Sequence, residues 1–291
     1  MGAVVSALAF PAPDKSISRR ALLDRESKKK QLVYITTRSG LRIPAVHIQR
    51  KSSQQQQQGD RMLTIVYSHG NAEDLGLSLP YLDYLSHFCG CTVFAYEYCG
   101  YSLAEGEPSE ENCNECIEAA FSYLTTEKGV LPSNIVLFGR SLGTGPTIDL
   151  ASKLCQKNQS ESNSGRRSQQ RQQRIAGVVL QSPLESAGRC VLGEFASSVL
   201  YPLDIFRSYE KIQHLKSVPV LFMHGMVDKV VPYASGQALY KEWRNVAEDT
   251  AHANAKECQP LWARDAGHNN MPEFHCMQAV STFLEFLKTV E

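Results

Sequence analysis

Short runs of apolar residues, each bounded by turn residues, recur along this chain and alternate with segments that have a helical period. The strands of a parallel sheet need such continuous Val, Ile and Leu runs, because helices bury both faces of the sheet. The pattern therefore predicts an α/β fold with a mostly parallel sheet and a last helix from Met271 to Thr289. The predicted buried strands are Leu63 to Tyr67, Thr92 to Tyr96, Ile135 to Phe138, Ile175 to Leu180, Val218 to Met223 and a short strand at Pro260 to Ala263.

Two further strand-like runs open the predicted domain, from Leu32 to Thr37 and from Leu41 to Gln49. The Arg38-Ser39-Gly40 step between them has turn chemistry, so we expect an antiparallel hairpin at one edge of the sheet. The domain is predicted to span residues 31–291. Residues 1–30 have neither a helical nor a strand period and are predicted to form a flexible leader.

Two stretches rich in Gln interrupt the predicted domain, near residues 50–61 and 155–174. Neither has an apolar period, so both are predicted to be surface insertions. The entropy cost of closing a loop grows slowly with its length, and such insertions need not disturb the domain that they interrupt.

Composition excludes several classes of protein. The 291 residues include 30 basic and 30 acidic side chains, so no strong field would attract nucleic acid, and we expect no nucleic-acid partner. The nine cysteines have neither the spacing of a disulfide framework nor that of a zinc site, which favours reduced thiols and no metal. We interpret the Cys113-x-x-Cys116 pair, inside a helical stretch, as a chance pair. No apolar run approaches the roughly 18 residues of a transmembrane helix.

The N-terminus fits a pattern for lipid modification. Met1-Gly2-Ala3-Val4-Val5-Ser6 matches the myristoylation motif, with Gly2 as the acceptor. A single myristoyl chain binds a membrane only marginally, and the basic cluster between Arg19 and Lys30 offers a second attraction. We expect a peripheral, lipid-anchored protein at the cytoplasmic face of a membrane. The open alternative is an unmodified leader and a cytosolic protein.

The motif Gly139-Arg140-Ser141-Leu142-Gly143 directly follows a predicted buried strand and precedes a helix-like run. A G-x-S-x-G pattern at a strand-to-helix turn is typical of the nucleophile of the α/β-hydrolase fold. The serine there has a strained backbone, and the two glycines leave room for the neighbouring strand and helix. We therefore predict that Ser141 is a catalytic nucleophile.

A serine hydroxyl needs a base, and His268 is the best placed of the eight histidines. It lies between the last predicted strand and the last helix, where a parallel sheet presents residues at its carboxyl edge. Asp228, just beyond the strand from Val218 to Met223, is the predicted acid, and the order Ser, Asp, His is that of α/β-hydrolases. An aspartate that only caps the next helix is the alternative for Asp228, and Asp204 and Glu185 are weaker rivals.

Two backbone N–H groups are expected to bind the oxyanion, one from Leu142 and one from Asn71, which follows a predicted strand and a glycine. We expect His69 to be structural, because as a base it would have no partner acid after the adjacent strand. His224 is interpreted as a core histidine or one that supports the acid, and His275 as a packing or surface residue.

Three segments together resemble the α/β-hydrolase domain-containing protein 17 family: His69 to Asp74, Gly139 to Pro146 and His224 to Asp228. Tyr96 to Ser102 and Gln181-Ser182-Pro183 are also similar to that family, and the resemblance covers residues 30–291. Members of the family are membrane-associated depalmitoylases, so the resemblance implies a thioesterase that removes S-palmitoyl groups from cysteines of other proteins. The family's leader is rich in palmitoylated cysteines, whereas no cysteine precedes Cys89 here, and a myristoylated Gly2 would replace that anchor.

Acyl transfer through Ser141 and His268 needs no metal or cofactor. A fatty chain would need an apolar groove, for which Val191 to Phe206 is a candidate lid, and plain helix packing of that stretch is the alternative. Because the fold hosts many substrates, a carboxylesterase, lipase or serine peptidase on the same triad stays open. A non-catalytic, membrane-tethered interaction module is a third hypothesis, but its sequence would lack a triad residue.

Overall fold

Eight strands form one sheet in the part of the chain that the computed structural model describes, which comprises residues 19–25, 31–49, 61–162, 174–190, 204–247 and 255–290. The strands are β1 (Leu32–Thr36), β2 (Arg42–Ile48), β3 (Thr64–Ser68), β4 (Thr92–Tyr96), β5 (Ile135–Arg140), β6 (Gly177–Gln181), β7 (Val220–Gly225) and β8 (Leu261–Ala263). Their order across the sheet is β1-β2-β4-β3-β5-β6-β7-β8.

The strand directions divide the sheet into an antiparallel edge and a parallel body. β1 pairs antiparallel with β2, and β2 pairs antiparallel with β4. From β4 to β8 every neighbouring pair is parallel. The predicted hairpin therefore lies at one edge of a mostly parallel sheet, as the apolar pattern predicted.

Helices cover both faces of the sheet. They are α1 (19–25), α2 (Leu75–Cys89), α3 (Glu110–Ser122), α4 (Thr144–Ser162), α5 (Ser208–Lys211), α6 (Tyr233–Ala247) and α7 (Glu273–Thr289), with one further helical turn at 187–190. Shorter segments are a π-helix at Tyr123–Glu127 and 3-10 turns at Pro132–Asn134, Ser141–Gly143, Ile212–Leu215 and Lys256–Cys258. α2 packs against α7, whereas α3 packs against α4. No helix in the described ranges is long and apolar enough to cross a membrane.

Two boundaries differ from those predicted. Residues 19–25, inside the predicted flexible leader, are helical, and Leu22 of this helix is fully buried in the core. A single buried apolar residue gives no periodic pattern, which is why the sequence did not indicate this helix. α4 continues to Ser162, past the predicted start of the second insertion, and Cys155 on it is buried. Most of both predicted insertions lies outside the described residues.

The carboxyl ends of the parallel strands meet at one edge of the sheet. Strands β3 and β6 are buried along their whole length, and their side chains fill the core. Polar groups are therefore found at the ends of the strands. The last residues of the parallel strands are Ser68, Tyr96, Arg140, Gln181, Gly225 and Ala263. Loops that follow these residues are brought together, and this edge is where ligands bind in open α/β sheets.

Candidate active site

Ser141 lies at the turn between β5 and α4, in a backbone conformation that residues with a side chain rarely adopt. Its φ is 51°, in the left-handed region. The hydroxyl of Thr144 donates a hydrogen bond to the carbonyl oxygen of Ser141 at 2.6 Å and holds the turn. Backbone strain of this kind persists only where the surrounding structure imposes it, and it is concentrated at active sites.

The glycines on either side of Ser141 allow close approach of three backbone segments. A Cβ atom at Gly139 would lie 2.6 Å from the carbonyl oxygen of Gly143. A Cβ atom at Gly143 would overlap the backbone of Ser68 and His69 at the end of β3. Because only glycine avoids these overlaps, the motif lets β5, the serine turn and the β3 loop pack together.

Hydrogen bonds join the three residues that the sequence predicts as a triad. Nε2 of His268 lies 2.9 Å from Oγ of Ser141, and Nδ1 lies 2.7 Å from Oδ2 of Asp228. An ionised carboxylate only accepts, so Nδ1 holds the proton of the neutral ring and Nε2 is left to accept the proton of the hydroxyl. The geometry is that of a general base next to a nucleophile.

Four N–H groups face the carboxylate of Asp228. Oδ1 accepts from the backbone of Val230 at 2.8 Å and of Val231 at 2.9 Å. Oδ2 lies 2.7 Å from Nδ1 of His268 and 3.4 Å from Nε2 of His224. Burial by itself would raise the pKa of Asp228, but hydrogen bonds from His224, His268 and the backbone outweigh it and hold that pKa well below its usual range. The carboxylate therefore caps its own turn and orients His268 at the same time.

His224 supports the acid from the end of β7. The ring is fully buried, and its Nε2 lies 3.0 Å from the carbonyl oxygen of Val231. A carbonyl oxygen only accepts, so Nε2 holds a proton that it shares between Val231 and Asp228. Its Nδ1 atom is buried without a hydrogen-bond partner among the described residues. His224 is therefore a positioning residue for the acid.

Arg140, the second residue of the serine motif, links three loops at this edge of the sheet. Its guanidinium forms an ion pair with Glu73, in the loop after β3, and donates to the side-chain oxygen of Asn269 at 3.3 Å. Glu73 also accepts from the backbone N–H of Gly70 at 3.1 Å. Sequence reasoning missed this link, because the residues are far apart in the chain and no local pattern relates them. The link holds the β3 loop and the His268 loop against the serine turn.

The two residues predicted to bind an oxyanion lie in segments that flank Ser141. Leu142 is in the first turn of the helical segment that begins at Ser141, where N–H groups lack an acceptor within the helix and favour negative charge. Asn71 lies in the β3 loop, and the hydroxyl of Tyr101 donates to its side-chain oxygen at 2.9 Å. The next residue, Ala72, has a φ of 55°, so the loop turns sharply there. Their role as oxyanion donors stays a prediction.

His69 belongs to a second buried histidine–carboxylate pair, and the expectation that no acid follows the adjacent strand was wrong. Glu97 directly follows β4, and its Oε1 lies 2.8 Å from Nε2 of His69. The other ring nitrogen, Nδ1, faces the carbonyl oxygen of Gly70 at 2.9 Å. Both nitrogens are thus engaged by oxygen atoms of Glu97 and Gly70, and neither is hydrogen-bonded to a hydroxyl or thiol from which it could take a proton. We therefore interpret His69 as structural because of these two contacts, and not because an acid is absent.

The other acids and histidines considered lie elsewhere in the fold. Asp204 accepts from the backbone N–H of Gly188 at 2.7 Å, and Glu185 forms an ion pair with an arginine four residues later. His275 is exposed on α7. Within the described ranges, the only carboxylate that contacts the ring of His268 is that of Asp228.

Two predictions fall largely outside the described residues. Gly2 lies there, and so does the candidate lid except for residues 204–206. Phe206, its last residue, is 2% exposed and packs so closely on α4 that a Cβ at Gly145 would overlap its ring. The end of the stretch is therefore anchored in the core.

None of the nine cysteines, all of which lie in the described ranges, forms a disulfide bond. Cys113 and Cys116 are both buried on α3, and the sulfur of Cys116 contacts that of Cys99, at 3.4 Å. Burial raises the pKa of both Cys113 and Cys116 well above the usual range, so these thiols keep their protons and are weak nucleophiles. In the described ranges, no group of three or more His, Cys, Asp or Glu side chains could hold a metal ion.

A cavity of about 400 Å³ adjoins the triad at the carboxyl edge, next to α2 and α7. The ring of His268 forms part of its wall. The remaining lining residues are Tyr67, Glu73, Leu77, Ser78, Tyr81, Arg140, Gln181, Asn269, Met271, Glu273 and Cys276. Apolar and polar groups therefore share the wall, as in most small-molecule and cofactor sites.

Solved structures share this architecture. An esterase of Pyrococcus furiosus matches with a TM-score of 0.60 at 18% sequence identity, over 88% of this chain and 92% of that chain. An α/β hydrolase of Vibrio vulnificus matches with a TM-score of 0.64 at 19% identity, over 92% of this chain and 89% of that chain. The sheet, its helices and these neighbours show that the chain has the α/β-hydrolase fold, which confirms the predicted fold class.

Curated relatives narrow this class to one family. The chain is 31% identical over 288 residues to α/β hydrolase domain-containing protein 17B of Homo sapiens. This match covers 93% of this chain and 86% of that protein. The chain is 36% identical over 225 residues to protein 17C of Xenopus tropicalis, a match that spans 77% of this chain and 60% of that protein. The chain thus belongs to the α/β hydrolase domain-containing protein 17 family, as the resemblance predicted. No model of a protein family matches it.

Proposed function

We propose that this chain is a serine hydrolase that acts as an acyl-protein thioesterase and removes S-palmitoyl groups from membrane-associated proteins. The strongest support is the unbroken line of hydrogen bonds from Oγ of Ser141 through His268 to Asp228. Membership of an α/β hydrolase family supports hydrolysis. The S-acylated substrate is the finer part of the proposal and follows from the resemblance of the three motif segments to depalmitoylases.

In the proposed reaction, Oγ of Ser141 attacks the thioester carbonyl carbon while Nε2 of His268 takes its proton. Asp228 stabilises the imidazolium, and the N–H groups of Leu142 and Asn71 bind the oxyanion. The intermediate collapses, the C–S bond breaks, and the cysteine sulfur leaves with the proton from Nε2. A water molecule then attacks the acyl-enzyme with the same base, which releases the fatty acid and restores the serine.

Exposed apolar side chains on the acid loop support an apolar substrate. Met226, Val227 and Val230 are 42%, 53% and 60% exposed, and they flank Asp228 on both sides. Large apolar side chains that stay exposed in a group mark contacts with lipids, ligands or other proteins. Their position next to the triad suits a reaction on an acyl chain near a membrane surface.

Membrane attachment is proposed to come from myristoylation of Gly2, with the basic residues of the leader as the second attraction to the cytoplasmic face. Metabolic labelling with a myristate analogue tests this, with Gly2→Ala as the matched control. We expect label and membrane fractionation for the wild type and neither for the variant. An unlabelled wild type would favour the cytosolic alternative.

The nucleophile is tested by labelling with a fluorophosphonate. We expect the wild type to be labelled and Ser141→Ala not to be. Ser182→Ala is a matched control, because Ser182 also has a positive φ, 49°, and follows the adjacent strand. It should be labelled like the wild type. Equal labelling of the wild type and Ser141→Ala would favour the non-catalytic interaction module.

The substrate is tested by loss of palmitate from an S-palmitoylated test protein, compared between the wild type and Ser141→Ala. We expect release by the wild type alone. Rapid cleavage of small esters without release of palmitate would favour the carboxylesterase alternative, which the triad supports equally well.

A further inference from the structure

The cavity beside His268 lies on one particular side of the proposed reaction. In acyl transfer, the nucleophile and the oxyanion donors hold the carbonyl group, whereas the imidazole delivers its proton to the leaving atom. The ring of His268 lines the cavity, but among the described residues that line it are neither Ser141 nor the two predicted oxyanion donors. The cavity thus adjoins the imidazole that would deliver the proton, and not the groups that would hold the carbonyl.

The charged groups of the cavity wall favour a cation. The one arginine, Arg140, is already engaged by Glu73 and Asn269. Glu273, by contrast, forms no hydrogen bond or ion pair with any residue that the structure describes. The charge of Arg140 is therefore balanced within the wall, and the carboxylate of Glu273 is left to attract a positively charged group.

A buried amide in the same wall lacks a donor. Gln181 is 6% exposed, and its Oε1 is buried without a hydrogen-bond partner among the described residues. A buried acceptor left unpaired is costly and is rare in folded proteins. The terminal amide torsion of glutamine is soft, so this oxygen can turn towards an N–H group that enters the cavity. Leu77 and Met271 form an apolar part of the wall, against which the aliphatic part of a long side chain can pack.

We propose that this cavity binds the leaving half of the substrate and prefers a peptide with a basic side chain, an arginine or a lysine, next to the acylated cysteine. The inference rests on the proposed function, because it assigns a place to the departing peptide of that same reaction. The cavity volume of about 400 Å³ lies in the range of pockets that bind small ligands.

The test uses two peptides with the same acyl group on cysteine and either arginine or citrulline, its neutral near-isostere, beside it. We expect the full-length wild type to show a kcat/KM about two- to fivefold higher for the arginine peptide, the size of a partly exposed ion pair. Glu273→Lys should reverse this preference. Glu285→Lys is the matched control, because Glu285 is 64% exposed on the same helix and does not line the cavity, and it should leave the preference unchanged.

Gln181→Met tests the amide, because methionine has a similar length and no acceptor oxygen. We expect the melting temperature to stay level or to rise, since an unpaired buried acceptor is removed, while kcat/KM for the arginine peptide falls towards that for the citrulline peptide. A lower melting temperature with an unchanged preference would show a structural role for Gln181 and would remove it from the proposed site.

The same peptide pair made with O-acyl serine separates this inference from the proposed function. If the oxygen esters are cleaved with the arginine preference and the thioesters are not, the thioesterase proposal fails and the leaving-group site stands. If Glu273→Lys changes kcat/KM equally for both peptides, or alters instead the dependence on acyl-chain length, the cavity does not bind the leaving group and the inference is overturned.

Discussion

Two histidine–carboxylate pairs lie at the same edge of the sheet, and only one of them is placed for catalysis. The Nε2 atom of His69 lies 2.8 Å from Glu97, and the Nδ1 atom of His268 lies 2.7 Å from Asp228. The side chain of His69 is 1% exposed and that of His268 is 11% exposed. An acid partner therefore does not distinguish a base from a structural histidine. The difference lies in the group that faces the second ring nitrogen and in access to it.

The two carboxylates also organise the backbone, and here the pairs are alike. Glu97 accepts from the N–H of Leu75, at the start of α2, at 2.9 Å, and from Tyr98 at 3.1 Å. Asp228 accepts from the two residues that follow its own turn. Substitutions in the two pairs should therefore break similar kinds of contact. Their effects on catalysis should differ.

The largest expected difference is catalytic. We expect His268→Gln to lower kcat about 10⁴-fold or more, because the nucleophile loses its base. His69→Gln should keep kcat within about tenfold of the wild type and act mainly on stability. Ester hydrolysis and thermal unfolding of both variants measure the two effects. A collapse of kcat in a folded His69→Gln would contradict the structural role of that histidine.

The next effect is on stability. Glu97→Gln replaces the carboxylate of a fully buried pair with a neutral amide, so we expect a loss of about 3–5 kcal/mol in the free energy of unfolding. Urea unfolding measures it, and Glu285→Gln is the control for loss of an exposed carboxylate, with an expected cost under about 1 kcal/mol. Similar values for the two variants would mean that the Glu97 pair contributes no more than a surface contact.

A smaller effect is expected where the two regions touch. Gly143, in the serine turn, packs against the backbone of Ser68 and His69, so Gly143→Ala should cost about 1–3 kcal/mol and displace the turn. Gly70→Ala is the control, because its added Cβ would meet only the side chain of Glu73 at 3.4 Å. Equal thermal stability of both variants would show that the turn and the β3 loop are not tightly packed.

The smallest effect depends on pH. The pKa of Asp228 is lowered in the folded protein, so its ionised form stabilises the fold above the unfolded pKa of about 3.9, and this stabilisation is lost as the pH falls through the folded pKa. The stability difference between the wild type and Asp228→Asn should therefore shrink, by no more than about 2 kcal/mol, as the pH falls from 7 to below 4. Urea unfolding at several pH values checks this. A difference that grows on acidification would reverse the assigned direction.

Local pattern predicted much of the fold and the members of the candidate triad. β4 has the predicted bounds, because an apolar run between turns is easy to delimit, and the serine motif marks the strand-to-helix turn. The links between Glu97 and His69 and between Glu73 and Arg140 were missed. Both join the β3 loop to a neighbouring strand, and they depend on the order β4-β3-β5, which no local pattern contains.

The shortness of β8 has a consequence for how activity would be lost. This strand has three residues, all partly exposed, and pairs with β7 alone at the border of the described sheet. Elements held by so few contacts open at a lower free energy than the whole domain. Detachment of this margin would carry the imidazole of His268 away from Ser141 while the remaining core stays folded. Mild denaturant should thus abolish hydrolysis before the helical content declines. Turnover would then detect an opening of this margin that does not change the circular dichroism signal.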